Sequence, residues 1–174
     1  MELQGKKVVV VGLGKSGIAA YELLKDMGAK ICLYDGNTGF DAFGYSEEVY
    51  LGEFPEDVFA ELDMAVFSPG VPLDIPVAVF LKEHQIPIIG EIELAFMKEK
   101  GQVIGITGTN GKTTTTTLVG QIMKAYNDKT FVVGNIGNPY TKEVEKSSPD
   151  SVTVAEISSF QLETIQDFKP QVSA

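Results

Sequence analysis

The chain has 174 residues, 44% of them hydrophobic and 22% charged, with a formal net charge of −10. That balance excludes a nucleic-acid surface, which needs clustered Lys and Arg to neutralise phosphates. The length suffices for one substantial core or two small ones, and no apolar run approaches the ~20 residues of a membrane span.

Short β-branched runs alternate with helical patterns along the whole chain. The first run is KKVVVVG, followed by SGIAAYELLKDMGA, in which Ile18, Tyr21, Leu23 and Leu24 share a helical face and Gly28 marks the stop. KICLYD, MAVFS and IPIIG come next, then QVIGIT, TFVVG and SVTVAE. Nearly continuous apolar runs of this kind suit strands covered on both faces, and strand–helix–strand alternation predicts a parallel α/β architecture with right-handed crossovers. GEIELAFMKEKGQ reads as a helix at a seam near residues 90–101. The expected division is therefore a first α/β unit over residues 1–95 and a second over 96–174, although one doubly wound sheet running through is also compatible with the length. Cys32 is the single cysteine and lies in an apolar run, so it reads as a buried structural thiol in a reducing, cytoplasmic setting. Val172 reads as the start of a further buried strand, which suggests that the chain is a fragment of a larger protein.

Two glycine-rich loops carry the chemistry. Gly12, Gly14 and Gly17 have the spacing G-x-G-x-x-G after a strand, and Asp35 closes the next apolar run. By pattern alone this is a dinucleotide fingerprint. The second loop, GITGTNGKTT, follows the strand Gln102–Ile106 and precedes a helical pattern through Tyr126. Gly108 and Gly111 let backbone N–H groups wrap a phosphate, the helix N-terminus adds partial positive charge, and Lys112 can reach β- and γ-phosphates. Thr113 offers a hydroxyl to Mg²⁺. The strict G-x-x-x-x-G-K-[ST] pattern wants glycine at position 106, where the chain has Ile106, so the loop is a compact variant. The five threonines Thr113–Thr117 are poor helix formers and are not explained by propensity. Glu156 ends the strand SVTVAE, where the crevice of such a sheet opens, and is placed to ligate Mg²⁺. A solvated strand-end glutamate is its plainer reading.

With these residues in view, the chain resembles the Mur ligases of bacterial cell-wall synthesis. The matching stretches are VVVGLGKSGIAA, SPGVP, GEIELAF, GITGTNGKTTT, GNIGNP and EISSFQLE, in the family's order across the whole chain. The resemblance implies a Rossmann-like N-terminal domain that binds a UDP substrate, followed by part of a P-loop ATPase domain. A C-terminal domain that brings the incoming amino acid would lie outside this chain. It further implies an ATP- and Mg²⁺-dependent ligase that adds D-glutamate to UDP-N-acetylmuramoyl-L-alanine through an acyl phosphate, with the fragment inactive by itself. Carried onto this chain, Gly108, Thr109, Asn110, Gly111, Lys112, Thr113 and Thr114 would hold ATP, with Lys112 on the transferring group. Thr113 and Glu156 would hold the metal, and Asn135 would contact the muramoyl substrate beside the reacting carboxylate. A turn Asn between glycines is the plainer reading of Asn135. Gly14, Lys15, Ser16 and Gly17 would bind the UDP diphosphate, Asp35 and Gly36 would meet the uracil, and Ser68, Pro69 and Gly70 would form another wall. The family often has a hydroxyl residue and an arginine after the aspartate, whereas this chain has Gly36 and Asn37.

Other readings compete. An NAD(P)-dependent oxidoreductase built on the first loop would leave the second without purpose. A non-catalytic nucleotide-binding module would bind ATP or GTP without turnover, and a glutamate-adding folate ligase does not account for the first ~95 residues with their own glycine loop. Ser158 and Ser159 either orient the metal site or cap the next helix. His84 reads as a helix cap or a solvent-facing group, and Tyr34 and Phe67 as core. Glu47, Glu48 and Lys142–Lys146 read as solvated faces.

Overall fold

A computed structural model describes residues 2–174. The chain folds as two compact units, the first ending at Glu91 and the second beginning at Ile92. Each is organised around its own parallel sheet.

The first unit contains β1 (Lys7–Val11), α1 (Lys15–Asp26), β2 (Lys30–Asp35), β3 (Glu48–Leu51), α2 (Glu56–Phe59), β4 (Met64–Phe67), α3 (Pro76–Glu83) and β5 (Ile88–Gly90). Its strand order is β3-β2-β1-β4-β5, with every neighbouring pair parallel. The central β1 explains its own sequence: Val8, Val9, Val10 and Val11 are each at most 1% exposed, so both faces must be apolar. On one side of the sheet, Tyr34 meets Phe54 and Phe59 edge to face beside Val77, Ala78 and Leu81 of α3. Helix α1 buries Tyr21, Leu23 and Leu24, and it stops where Gly28 turns left-handed at φ +74°.

The second unit contains α4 (Glu91–Phe96), whose first residue falls at the boundary, β6 (Gln102–Ile106), α5 (Lys112–Tyr126), β7 (Thr130–Gly134), α6 (Tyr140–Glu143), β8 (Val152–Glu156), α7 (Ser159–Leu162) and β9 (Val172–Ser173). Its strand order is β7-β8-β6-β9, again all parallel. Val152, Val154 and Ile106 form its inner cluster under Val119 and Met123 of α5. Glu99, after α4, is a polar hub. Its carboxylate accepts hydrogen bonds from Ser147 Oγ, Tyr140 OH (2.6 Å) and Thr153 Oγ1 (2.9 Å), and from the Gly101 N–H. Glu93 does similar work, accepting from the backbone N–H groups of Gln166, Asp167 and Phe168 at 2.8–3.0 Å.

Several expectations are corrected. The EVYL run forms β3, a short edge strand that one exposed and three half-covered residues do not announce. Glu47 is not a solvated residue: its side chain is 16% exposed, accepts from Tyr21 OH at 2.7 Å and faces Lys25 Nζ at 3.5 Å. Within Lys142–Lys146, Glu143 and Val144 are buried, the glutamate accepting from Asn138 and Lys146, because the helix turns that edge inward. Val172 does begin a strand, but it is 56% exposed, since two-residue β9 lies at the sheet edge with nothing among the described residues covering it. Cys32 is buried as expected, and burial, with the charge of Glu48 adding, pushes its thiol up to about 12.

Candidate functional site

In the first unit the strand order reverses between β1 and β4, so the loops leaving their C-terminal ends diverge and open a crevice. A cavity of about 370 Å³ lies there. Its walls come from the loops after β1, β2 and β4, and they include Gly14, Lys15, Ser16, Asp35, Gly36, Ser68, Pro69 and Gly70. Eight of the positions expected to bind the UDP substrate are thus brought to one cavity from three separate stretches of chain.

Of the other two, Asn135 belongs to the second unit and Gly17 faces inward. A Cβ there would lie 2.7 Å from Ser68 Oγ and closer still to the Gly12 carbonyl oxygen. The third glycine of the fingerprint therefore lets α1 pack against the end of β1. Gly12 has φ +88°, and a Cβ on it would meet Val71 and Ser68. Ser68 Oγ donates to Gly12 O at 2.6 Å, fastening the β4 loop to the β1 loop. Asp35 is equally engaged: its carboxylate accepts from Leu13 N–H (2.7 Å) and Asn37 N–H (2.8 Å), fixing the first glycine loop and the turn after β2 in one frame. Sequence reasoning did not single out Tyr34, Val71 or Ile75 as cavity walls. Their apolar character reads equally well as core, and no local signal separates the two.

In the second unit β6 and β8 run side by side with Ile106 opposite Glu156, and Ile157 N–H donates to Ile106 O at 2.8 Å. The glycine loop that leaves β6 therefore starts beside Glu156. Gly108 and Gly111 have φ of +139° and +79°, the left-handed region that glycine tolerates. Gly111 is the N-cap of α5, and Thr107, Gly108, Thr109 and Asn110 are exposed, so the N–H groups of a loop and a 15-residue helix terminus are accessible to an anion. Lys112 Nζ donates to Gly108 O at 2.6 Å, which lays the ammonium along the loop. Thr113 and Thr114 are exposed in the first turn of α5, while Thr116 alone of the threonine run is buried.

Glu156 is 1% exposed. Asn135 Nδ2 donates to its Oε1 at 2.8 Å, and Oε2 is buried without a hydrogen-bond partner. A buried carboxylate oxygen left unpaired carries a substantial desolvation penalty. A cation is the natural partner for it. Among the described residues no cluster of three or more His, Cys, Asp or Glu is placed to hold a metal alone. That donor set fits Mg²⁺, which is held by one or two carboxylates together with phosphates and water. Ser158 resolves toward capping: its Oγ accepts from Gln161 N–H and its own N–H donates to Gln161 Oε1, which starts α7. His84 ends α3, exposed and stacked on Phe80, as expected.

Two parallel α/β units, each with a phosphate-type glycine loop at the C-terminal edge of its sheet, have the layout of the nucleotide-binding class of α/β modules. Residues 6–90 match the Mur ligase MurD-like N-terminal domain and residues 106–172 the Mur ligase middle domain, and the chain belongs to the Mur ligase family. It is 56% identical, over its whole length, to a UDP-N-acetylmuramoylalanine–D-glutamate ligase of Lachnospira eligens, and 49% identical to that of Clostridioides difficile, covering 40% of each relative. The chain thus spans about two fifths of the length of these curated relatives. Among solved structures, a pseudomurein peptide ligase type C from Methanothermus fervidus aligns over 89% of this chain and 33% of its own, with TM-score 0.51 and 25% identity. A UDP-N-acetylmuramate:L-alanyl-gamma-D-glutamyl-meso-diaminopimelate ligase from Neisseria meningitides has the same fold over 97% of this chain and 59% of its own, with TM-score 0.55 and 16% identity. No helix among the described residues is long and apolar enough to cross a membrane.

Proposed function

We propose that this chain is the substrate-anchoring and phosphate-handling part of an ATP-dependent ligase that joins D-glutamate to UDP-N-acetylmuramoyl-L-alanine in peptidoglycan precursor synthesis. Residues 1–95, which contain the first unit, serve as the UDP-substrate domain, and residues 96–174 as part of the ATP-binding domain. The observation that carries the reading is Glu156: a buried carboxylate with one unpaired oxygen, at the strand end adjoining a glycine-lysine loop. The whole-length similarity to D-glutamate ligases supports the choice of amino acid.

In this reading the diphosphate lies on Gly14–Gly17 at the start of α1, and Asp35 with Gly36 meets the uracil. Ser68–Gly70 closes the far wall. Gly108–Thr114 cradles the ATP phosphates, with Lys112 leaving the Gly108 carbonyl for the transferring phosphoryl group. Mg²⁺, when bound, supplies charge neutralisation at the phosphate oxygens. Thr113 and Glu156 would hold it. The γ-phosphoryl group passes to the alanyl carboxylate, giving an acyl phosphate and releasing ADP. The D-glutamate amine attacks its carbonyl carbon, and the amide bond forms as inorganic phosphate and the amine's proton leave. No side chain of this chain is a nucleophile; positioning and charge neutralisation do the work.

A thermal-shift panel tests the first unit: UDP-N-acetylmuramoyl-L-alanine should raise the melting temperature at concentrations where NADH does not. The reverse preference would favour the oxidoreductase reading and sink this one. Phosphate release that depends on D-glutamate, measured on a chain extended to the full length of its curated relatives, tests the reaction.

A further inference from the structure

The motif GNIG is the unabsorbed part of the second site, and its geometry goes beyond a substrate contact. Gly134, the last residue of β7, stands opposite Glu156 in the parallel register and has φ +100°. A Cβ there would lie 3.1 Å from the Glu156 carbonyl carbon and nearer to its oxygen, so only glycine allows the two backbones to come this close. The next residue uses that closeness twice. Asn135 N–H donates to the Glu156 carbonyl oxygen at 2.9 Å, and Asn135 Nδ2 donates to Glu156 Oε1 at 2.8 Å. The acceptor is a carboxylate oxygen, which requires the nitrogen of the amide on that side.

We infer that Asn135 is a positioning residue for Glu156: it occupies Oε1 so that the buried, unpartnered Oε2 is the oxygen presented to the metal. The inference rests on the metal reading of Glu156 made above. A carboxylate with both oxygens free could rotate or chelate. With Oε1 engaged, it offers one oxygen in one direction, which suits the strict octahedral geometry of Mg²⁺. Outer-sphere partners of this kind typically contribute a factor of 10–100 in metal affinity. Asn135 is exposed and keeps Oδ1 and a second N–H hydrogen, so it can touch a substrate and still orient the carboxylate.

The test is Mn²⁺ titration of the 174-residue chain in the presence of ATP, read by water-proton relaxation. The wild-type chain should form an enhanced complex, Glu156→Gln should lose it, and Asn135→Ala should weaken it at least tenfold. Asn135→Leu, of similar shape without a donor, should match Asn135→Ala and carries the test if the alanine variant does not fold. Wild-type affinity in both Asn135 variants, with loss in Glu156→Gln, would overturn the positioning role and leave the metal reading intact. Unchanged affinity in Glu156→Gln, or no complex with the wild-type chain, would overturn both.

Discussion

Replacing Gly17 by alanine is the sharpest probe of the first unit, because helix propensity and packing predict opposite results. Within a helix alanine is favoured over glycine by up to about 1 kcal/mol. Here, however, a Cβ would stand 2.7 Å from Ser68 Oγ, 3.0 Å from the Gly12 carbonyl carbon and closer still to its oxygen, while real Cβ atoms essentially never come under 3.0 Å. The start of α1 must retreat from β1, at roughly 1–3 kcal/mol for overpacking. The same movement disturbs the 2.6 Å Ser68–Gly12 hydrogen bond, which adds about 1 kcal/mol. After the propensity gain of up to about 1 kcal/mol the net loss is about 1–3 kcal/mol. For a unit of this size that lowers the melting temperature by roughly 5–20 °C. Gly14→Ala is the control. A Cβ at Gly14 meets nothing within 4 Å and its φ is −72°, so stability should change by no more than about 0.5 kcal/mol. Its cost should fall on UDP-substrate binding, since Gly14 lines the cavity. Differential scanning fluorimetry of the two variants decides the matter, and equal melting temperatures would refute the packing argument.

Asp35→Ala removes the acceptor for the Leu13 and Asn37 N–H groups, and isothermal titration should show UDP-substrate affinity reduced at least tenfold with the fold retained. Lys112→Ala should weaken ATP binding about tenfold or more, as fluorescent-nucleotide displacement would show. Burial would raise the Glu99 carboxyl, but hydrogen bonds from Ser147, Tyr140, Gly101 and Thr153 outweigh it and hold the group below its usual 4.5. That stability is present above about pH 4.5 and is lost as pH falls through the lower folded value. An acid titration of wild type against Glu99→Gln should therefore show the variant weaker by about 1–2 kcal/mol at pH 7 and the difference shrinking below pH 4.5. The 174-residue chain, two fifths of its relatives' length, should bind UDP substrate yet release no phosphate when D-glutamate is added.

What the sequence made legible is what local chemistry dictates. The seven apolar runs all became strands, because a strand covered on both faces must be apolar throughout, and the helix after the second loop ends at Tyr126 as its periodicity predicted. Edge elements were the weak point. EVYL and Val172 are half-covered at best, and composition carries little information where burial exerts little pressure. The two glutamates of GEIELAFMKEKGQ that lie within the second unit's polar framework, Glu93 and Glu99, were also unreadable. A carboxylate that accepts backbone N–H groups more than 70 residues away looks like any surface charge until the chain is folded. Asn135 shows the same limit, since its partner lies 21 positions away across a strand pair.

The solitary thiol of the first sheet has a practical use. Cys32 is 7% exposed, sits in the middle of β2 and is held protonated far above neutral pH, so its reaction with alkylating reagents is slow while β2 stays closed and speeds up when β2 opens. With one cysteine in the chain, every labelling event reports on the first unit alone. The rate of modification, followed by intact mass with and without UDP substrate, becomes a clock for the opening of that unit, and it needs no engineered probe.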